Sequence, residues 1–456
     1  MKSAIFLLLL SISSFSVQAQ NLQRKVMFGV GTKSIDAEIA KEKGIANQEA
    51  LQVTLVVDNS TAAAIGLKVG DLITHVNQQR FHSPEQLIHY VRGLGAGDSI
   101  EIGVISNGVS TNRRGIAKGR PIETSEYGEV RYDAVSYELG LLRSIVHIPK
   151  NKSGKIPTIF YLQGYPCASQ ESTPNSKAAG KRLIDDWVKA GYVVYRVERP
   201  NMGDSRTSKD CRDTNYEEEL ASNIAAYKQM LAYDFVDNDN VFLFGHSLGS
   251  VTAPLLAPIH QPKGIMVYGV VVRSWFEYFI DINRHQTLHF GDSHLEAERN
   301  TRRAIPFFYE WLENGKNPTD LAKLATFKEL FKDGGKSLNV DGDYVFGRHY
   351  SFWHTMNKKH LAEAWSKVTG KVLSIYGEFD VQAINTNDAK AIAAVVNETH
   401  PGNGEFLLFP KTDHGLLNAA SYQETIASNK STSPHVTENY NPAVGVSTLR
   451  WLKKQK

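Results

Sequence analysis

The sequence predicts an α/β protein: a mostly parallel sheet with helices on both faces and a helical cap, preceded by a small β-rich domain. Three observations carry that reading. From residue 156 onward, continuous apolar runs alternate with helical stretches, as strands buried on both faces require. A Gly-x-Ser-x-Gly sequence at 245–249 follows one of those runs. Ahead of them, residues 24–115 hold short strand-like runs broken by Gly and Asn turns.

Composition sets the outer bounds. At about 150 residues per domain, a chain of 456 residues holds two to three domains. An apolar fraction of 42% against 22% charged argues against a disordered, collagen-like or disulfide-framework chain. The formal charge is only +3 and no Lys/Arg-rich block occurs, so no nucleic-acid partner is expected.

Residues 1–19 read MKSAIFLLLLSISSFSVQA. Lys2 gives a positive start, an apolar run follows, and small residues end it. This is the pattern of a secretory signal peptide cleaved after Ala19. The run is too short for a bilayer span, which takes about 20 apolar residues. No Cys follows the cleavage point and no later segment is long and apolar enough to span. The expectation is an exported protein, periplasmic or secreted, with no stable membrane anchor. Export makes the two cysteines, Cys167 and Cys211, candidates for a bridge; two free thiols are the alternative.

In the first domain, residues 53–57 (VTLVV) and 72–76 read as strands. Gly66 and Gly70 supply turns. Ser83 followed by Pro84 and Glu85 marks a helix start, and Leu87, Ile88 and Val91 give that helix an apolar face. Residues 100–105 are strand-like again, and Asn107-Gly108 signals a hairpin. The run GLKVGDLITHVNQQ, the Ser-Pro-capped helix and the final strands resemble the PDZ domains attached to bacterial periplasmic proteases. Residues Phe28, Gly29, Val30 and Gly31 resemble the carboxylate-binding loop of that family. The resemblance implies capture of a peptide C-terminus by backbone N–H groups and a strand edge. The alternative is a domain that packs on the enzyme and positions it.

In the second domain, 120–456, residues 130–139 and 142–148 read as a hairpin. Buried strands follow at 156–164, 192–200, 240–250, 263–271, 371–380 and 405–410, with helical stretches such as 181–190 and 217–233 between them. Gly245-His246-Ser247-Leu248-Gly249 lies between an apolar strand and a helix, the setting in which a strained turn exposes a serine nucleophile. Serine needs a base to become nucleophilic. Asp380 ends the strand VLSIYGEFD, with Glu378 as competitor, and His414 follows the strand FLLFP. The order Ser, acid, His suits Ser247 as nucleophile, His414 as proton carrier and Asp380 as its orienter.

These features in order resemble the α/β-hydrolase superfamily over residues 130–456, and the pairing with a PDZ domain resembles secreted bacterial fusions of the two. The resemblance implies an oxyanion hole from the backbone N–H of Leu248 and from the loop Gln163-Gly164-Tyr165-Pro166. Tyr165 is the candidate there because proline has no N–H. Many family members carry His-Gly where this chain has Gln-Gly. The resemblance also places the loops holding Cys167 and Cys211 on one edge of the sheet, where a bridge would brace the site.

Residues 273–369 form an insertion longer than a strand crossover needs, helical and rich in aromatics. It reads as a cap. Most of its aromatics belong to its own core, while Tyr350 and Trp353 flank a more polar stretch and are candidates for the substrate pocket. Histidines 349, 354 and 360 match no zinc signature, and neither metal nor cofactor is expected. The leading expectation is an exported serine hydrolase that cleaves carboxylic esters through an acyl-enzyme. A peptidase or amidase acting on short peptides, and a non-catalytic PDZ interaction protein, are the alternatives.

Overall fold

The computed structural model describes residues 22–45, 49–150, 152–173, 176–430 and 438–455. Residues 1–19, where a signal peptide is expected, lie outside the described residues.

Alternating apolar positions in the first domain build a five-stranded antiparallel sheet in sequence order: β1 (Val30–Ser34), β2 (Leu51–Val56), β3 (Leu72–Val76), β4 (Ser99–Ser106) and β5 (Val109–Ile116). Asn107 and Gly108 both take positive φ between β4 and β5, which a tight right-twisting hairpin requires. The Ser83-capped helix Pro84–Arg92 lays Leu87 and Val91 on the sheet, where they join Phe28, Val53, Ile73 and Ile102 in the core. The polar stretch before β2 holds a further short helix, Ala37–Glu42, started by the Asp36 carboxylate, which accepts from the Ile39 N–H at 2.8 Å. β1 stands at the sheet edge, beside the helix Pro84–Arg92.

The second domain is organised by a nine-stranded mixed sheet. Its strands are β6 (Gly128–Tyr137), β7 (Gly140–Pro149), β8 (Ile156–Leu162), β9 (Val193–Val197), β10 (Arg206–Thr207), β11 (Val236–His246), β12 (Gly264–Tyr268), β16 (Lys371–Gly377) and β17 (Gly404–Phe409). The order is β10-β7-β9-β8-β11-β12-β16-β17, with β6 hydrogen-bonded to β7. From β9 through β8, β11, β12 and β16 to β17 all pairings are parallel. Those strands are apolar throughout because helices cover both faces. One core layer packs Phe160, Leu243 and Ile265; the other packs Trp187, Phe242, Phe244 and Leu373. This strand order, with a sharp turn after β11, is that of an α/β-hydrolase fold.

The chain leaves the sheet after β12 and returns at β16. Between them lie the helices Trp275–Asp281, His294–Phe308, Pro318–Ala322, Tyr350–Asn357 and Leu361–Ser366. A small antiparallel sheet of β13 (Val340–Asp341), β14 (Tyr344–Val345) and β15 (Arg348–His349) completes this cap. Phe307, Trp311, Phe352 and Trp365 are buried inside it or against the body.

The two domains meet around Asp204, a fully buried carboxylate. Its oxygens accept from the Lys25 N–H at 2.9 Å, Arg24 Nη1 at 2.6 Å and Arg143 Nε at 3.2 Å. Arg24 also pairs with Glu171 at 2.8 Å and lies over the Tyr132 ring.

Candidate active site

β11 ends at His246 and the chain turns at once into the helix Gly249–Leu256. Ser247 sits in that turn at φ 54°, a conformation costly for any residue with a Cβ. Two flanking glycines make the turn possible. A Cβ on Gly245 would lie 2.4 Å from the Gly249 carbonyl oxygen, and one on Gly249 would lie 2.3 Å from that of Leu162. The Ser247 N–H is fixed to the Tyr268 carbonyl at 2.8 Å, while its hydroxyl has no hydrogen-bond partner among the described residues.

His414 arrives on the loop after β17 and Asp380 on the loop after β16. The Asp380 carboxylate is fully buried and lies 3.0 and 2.8 Å from His414 Nδ1 through its two oxygens. Its Oδ1 also accepts from the N–H groups of Gln382 and Ala383, each at 2.8 Å. Nδ1 therefore carries a proton, and Nε2, with no partner among the described residues, is left to exchange one. Desolvation works against the imidazolium, but the Asp380 charge and hydrogen bond outweigh it and hold His414 above the ordinary histidine value. Gly269, at φ +66°, opens the space for this ring, since a Cβ there would lie 2.6 Å from His414 Cε1. Glu378, the sequence competitor of Asp380, instead accepts from the Lys411 N–H at 2.8 Å and helps hold the loop leading to His414.

The loop after β8 closes on the serine from the other side. A Cβ on Gly164 would stand 3.2 Å from Ser247 Cβ. Neither the Tyr165 N–H nor the Leu248 N–H has a protein acceptor among the described residues. Gln163 donates from Nε2 to the Val197 carbonyl at 3.3 Å and accepts from Gln170 Nε2 at 2.5 Å. It supports the loop from beneath. Cys167 and Cys211 form a disulfide with Cα atoms 5.7 Å apart, tying the end of this loop to the segment before the helix Tyr216–Leu231.

Ser247, His414, Tyr165 and Leu248 all face one cleft of about 570 Å³ beneath the cap. Trp275, Tyr278, Phe279, Phe346 and Trp353 give it an aromatic wall, and Gln163, Gln170, Gln286 and Gln382 supply polar groups. No Asp, Glu, Lys or Arg is among the described residues that line it. Trp353 reaches this wall, with its ring 6.0 Å from that of Tyr165. Tyr350 does not: its ring lies against His349 and its carbonyl accepts from Trp311 Nε1 at 3.1 Å, so the first residue of that helix serves the cap's own packing. The four glutamines form no group in the sequence because Gln163 and Gln170 lie on the loop after β8, Gln382 on the loop after β16 and Gln286 on a helical turn of the cap. Cap acids stand off the cleft. Glu277 caps its own helix with Ser274, and Asp281 pairs with Arg273.

At the first domain, Phe28 and Gly29 precede β1, and Gly29 adopts φ +70°. A side chain at Gly29 would collide with Ser60, its Cβ falling 2.1 Å from that of Ser60. The N–H groups of Phe28 and Gly29 have no acceptor among the described residues. Val30 and Gly31 pair with Val56 and Leu55 of β2, so the opposite edge of β1 is open beside the helix Pro84–Arg92.

Residues 52–105 match the PDZ domain family. The chain is similar to a probable periplasmic serine protease do/HhoA-like of Haemophilus influenzae, 30% identical over 87 residues, which is 19% of each chain. It is likewise similar to a probable periplasmic serine endoprotease DegP-like of Pseudomonas putida, 32% identical over 84 residues, 18% of each chain. The chain thus spans under a fifth of the curated relatives it matches. Among solved structures, Est1E from Butyrivibrio proteoclasticus aligns over 72% of this chain and 98% of its own at 14% identity and a TM-score of 0.41. Dipeptidyl peptidase 4 of Porphyromonas gingivalis aligns over 74% of this chain and 40% of its own, at 12% identity and a TM-score of 0.40. No helix among the described residues is long and apolar enough to cross a membrane.

Proposed function

We propose that this protein is an exported serine hydrolase that cleaves carboxylic esters, with Ser247 as nucleophile, His414 as proton carrier and Asp380 as its orienter. The Ser247 hydroxyl attacks the ester carbonyl carbon and gives its proton to His414 Nε2. The developing oxyanion is received by the N–H groups of Tyr165 and Leu248; loss of one such donor typically costs about 10²–10³ in kcat. Asp380 stabilises the imidazolium. The tetrahedral species collapses, the C–O bond to the alcohol breaks, and His414 returns the proton to the leaving oxygen. Water then attacks the acyl-enzyme with His414 as base, releasing the carboxylic acid and restoring Ser247.

The uncharged aromatic cleft carries the choice of ester over peptide. A peptidase that reads a free amino terminus needs a carboxylate near the scissile bond, because a buried ammonium without a partner is costly. The lining here supplies none among the described residues. The free N–H groups at Phe28 and Gly29 and the open β1 edge support a second, non-catalytic site for a peptide C-terminus. The Cys167–Cys211 disulfide supports residence in an oxidising compartment.

The test is hydrolysis of matched nitrophenyl esters and anilides of short and aromatic acids by wild type and Ser247→Ala. Ester cleavage lost in the variant, with anilides cleaved at least a hundredfold more slowly by wild type, is the expected result. Comparable rates on anilides would replace the esterase reading with a peptidase one. Failure of the folded wild type to label with a fluorophosphonate would remove the catalytic reading altogether.

A further inference from the structure

Two guanidinium groups, one from the body of the domain and one from its cap, share one buried carboxylate. Arg199, just beyond β9, places Nε 2.9 Å from Glu219 Oε1. Arg348, on β15 of the cap, places Nη2 2.6 Å from Glu219 Oε2. All three side chains are almost fully buried. One further nitrogen of each arginine is spent on consecutive carbonyls of the loop facing Ser247. Arg348 Nη1 donates to the Tyr165 carbonyl at 3.1 Å, and Arg199 Nη1 donates to the Pro166 carbonyl at 2.8 Å. Arg348 also stands over Phe352, its guanidinium carbon 3.7 Å from the ring centre.

We infer that Arg199 and Arg348, joined through Glu219, are positioning residues that set the oxyanion loop, and that Arg348 makes the loop's geometry depend on a seated cap. The inference rests on the serine hydrolase reading above. The Tyr165–Pro166 peptide has no N–H of its own, so the loop has little backbone hydrogen bonding to hold its path. Two planar, charged forks replace it. One fork comes from the body and one from the cap, and an oxyanion donor acts well only when its position is fixed before the reaction. Lysine does not substitute for either arginine, because a point charge cannot bond the carboxylate and a carbonyl in fixed planar geometry.

The experiment measures kcat, KM, thermal midpoint and fluorophosphonate inactivation rate on a small nitrophenyl ester for wild type, Arg348→Lys, Arg348→Met and Ser247→Ala. The expected result is a fall in kcat of about 10- to 100-fold for both Arg348 variants, a KM within threefold of wild type, and a parallel fall in inactivation rate. A mere structural role would lower the thermal midpoint and leave kcat of the folded fraction intact. If Arg348→Met does not accumulate folded, Arg348→Lys, which keeps the charge beside Glu219, decides by the same readouts. A folded Arg348 variant with kcat within twofold of wild type overturns the inference while Ser247→Ala remains inactive. Unchanged activity in Ser247→Ala would instead overturn the hydrolase reading on which it stands.

Discussion

His246 Nε2 lies 2.8 Å from the carbonyl oxygen of His414. A carbonyl only accepts, so this nitrogen carries the hydrogen and the bond ties the turn holding Ser247 to the loop holding His414. The two rings lie 5.0 Å apart. Desolvation, and then the charge His414 takes on when protonated, push His246 down to about 4. His246 thus stays neutral across the range in which His414 titrates. Replacing it by Phe removes the tie and by Gln can keep it. We expect His246→Phe to lose about tenfold in kcat, the worth of one hydrogen bond, and His246→Gln to lose less. Equal rates for all three proteins would show that the bond does not place the base.

The pH dependence follows from the same pair. In the proposed mechanism His414 must be neutral to accept the Ser247 proton, and desolvation lowers its value while the Asp380 charge and hydrogen bond raise it, leaving it above 6.5. The acid limb of kcat/KM is therefore expected to be a single-proton step with its midpoint above pH 6.5. A midpoint below 6.5 would contradict the assignment of His414. Stability carries the opposite contribution from His246. Its folded value of about 4 lies below its unfolded value of about 6.5, so the unfolded chain binds the proton first. That contribution destabilises progressively as pH falls from about 6.5 to about 4. For His414 the sign reverses: its favourable contribution is full below 6.5 and is lost as pH rises through the folded value.

The elements of this site that sequence disclosed are those with local signatures. The run Val241–Phe244 followed by Gly-x-Ser-x-Gly announces a strand, a strained turn and a helix within about ten residues. Asp380 and His414 stand just after apolar strands, so the fold class alone brings them to one sheet edge, and the structure does bring them together. The cysteines paired because the same edge gathers their loops. Arg348 gave no such sign, for its partners Tyr165 and Glu219 lie 183 and 129 residues away and ion pairs have no periodicity. Asp204 was equally silent, since Arg24 is 180 residues distant. Tyr350 and Trp353 looked equivalent at a spacing of three. Only the cap's packing decides that Trp353 faces the cleft while Tyr350 is turned against His349.

The domain junction makes its own prediction. Asp204 is buried against Arg24, Arg143 and the Lys25 N–H. Removing the carboxylate leaves cationic groups without their partner, which typically costs about 3–5 kcal/mol. Asp204→Ala should therefore lower denaturant stability by that order and expose the linker near residue 120 to proteases. Arg24→Ala should cost less, because Arg143 remains paired. A change below about 0.5 kcal/mol in Asp204→Ala would mean that water replaces the lost carboxylate.

The disulfide links residues 44 apart. Closing a loop of that length stabilises by roughly 3–4 kcal/mol in the chain-entropy description. The double variant Cys167→Ser/Cys211→Ser should unfold at correspondingly lower denaturant, and reductant should shift wild type but not the variant. If the bridge braces the loop carrying Tyr165, the variant loses kcat even where it is fully folded. Lost stability with kcat intact would restrict the bridge to a stabilising role.

Gly269 offers the sharpest steric test of the proposed triad. It follows β12 at φ +66°, and the nearest atoms to a Cβ there are His414 Cε1 at 2.6 Å, His414 Nδ1 at 2.7 Å and Asp380 Oδ2 at 3.1 Å. A methyl group cannot occupy that place unless the imidazole moves, and the backbone conformation itself disfavours alanine. A displacement of about 1 Å at a reacting group costs on the order of 10²-fold. Gly269→Ala is thus expected to lower kcat by about that factor with KM little changed, because the substrate wall of Trp275, Phe279 and Trp353 lies elsewhere in the cleft. Gly291 serves as the control: its φ is +108° but nothing lies within 4 Å of an added Cβ. Gly291→Ala carries the backbone strain without the collision and should keep kcat. Equal losses in the two variants would assign the effect to strain alone and detach Gly269 from the base; a loss confined to Gly269→Ala ties the rate to where His414 stands.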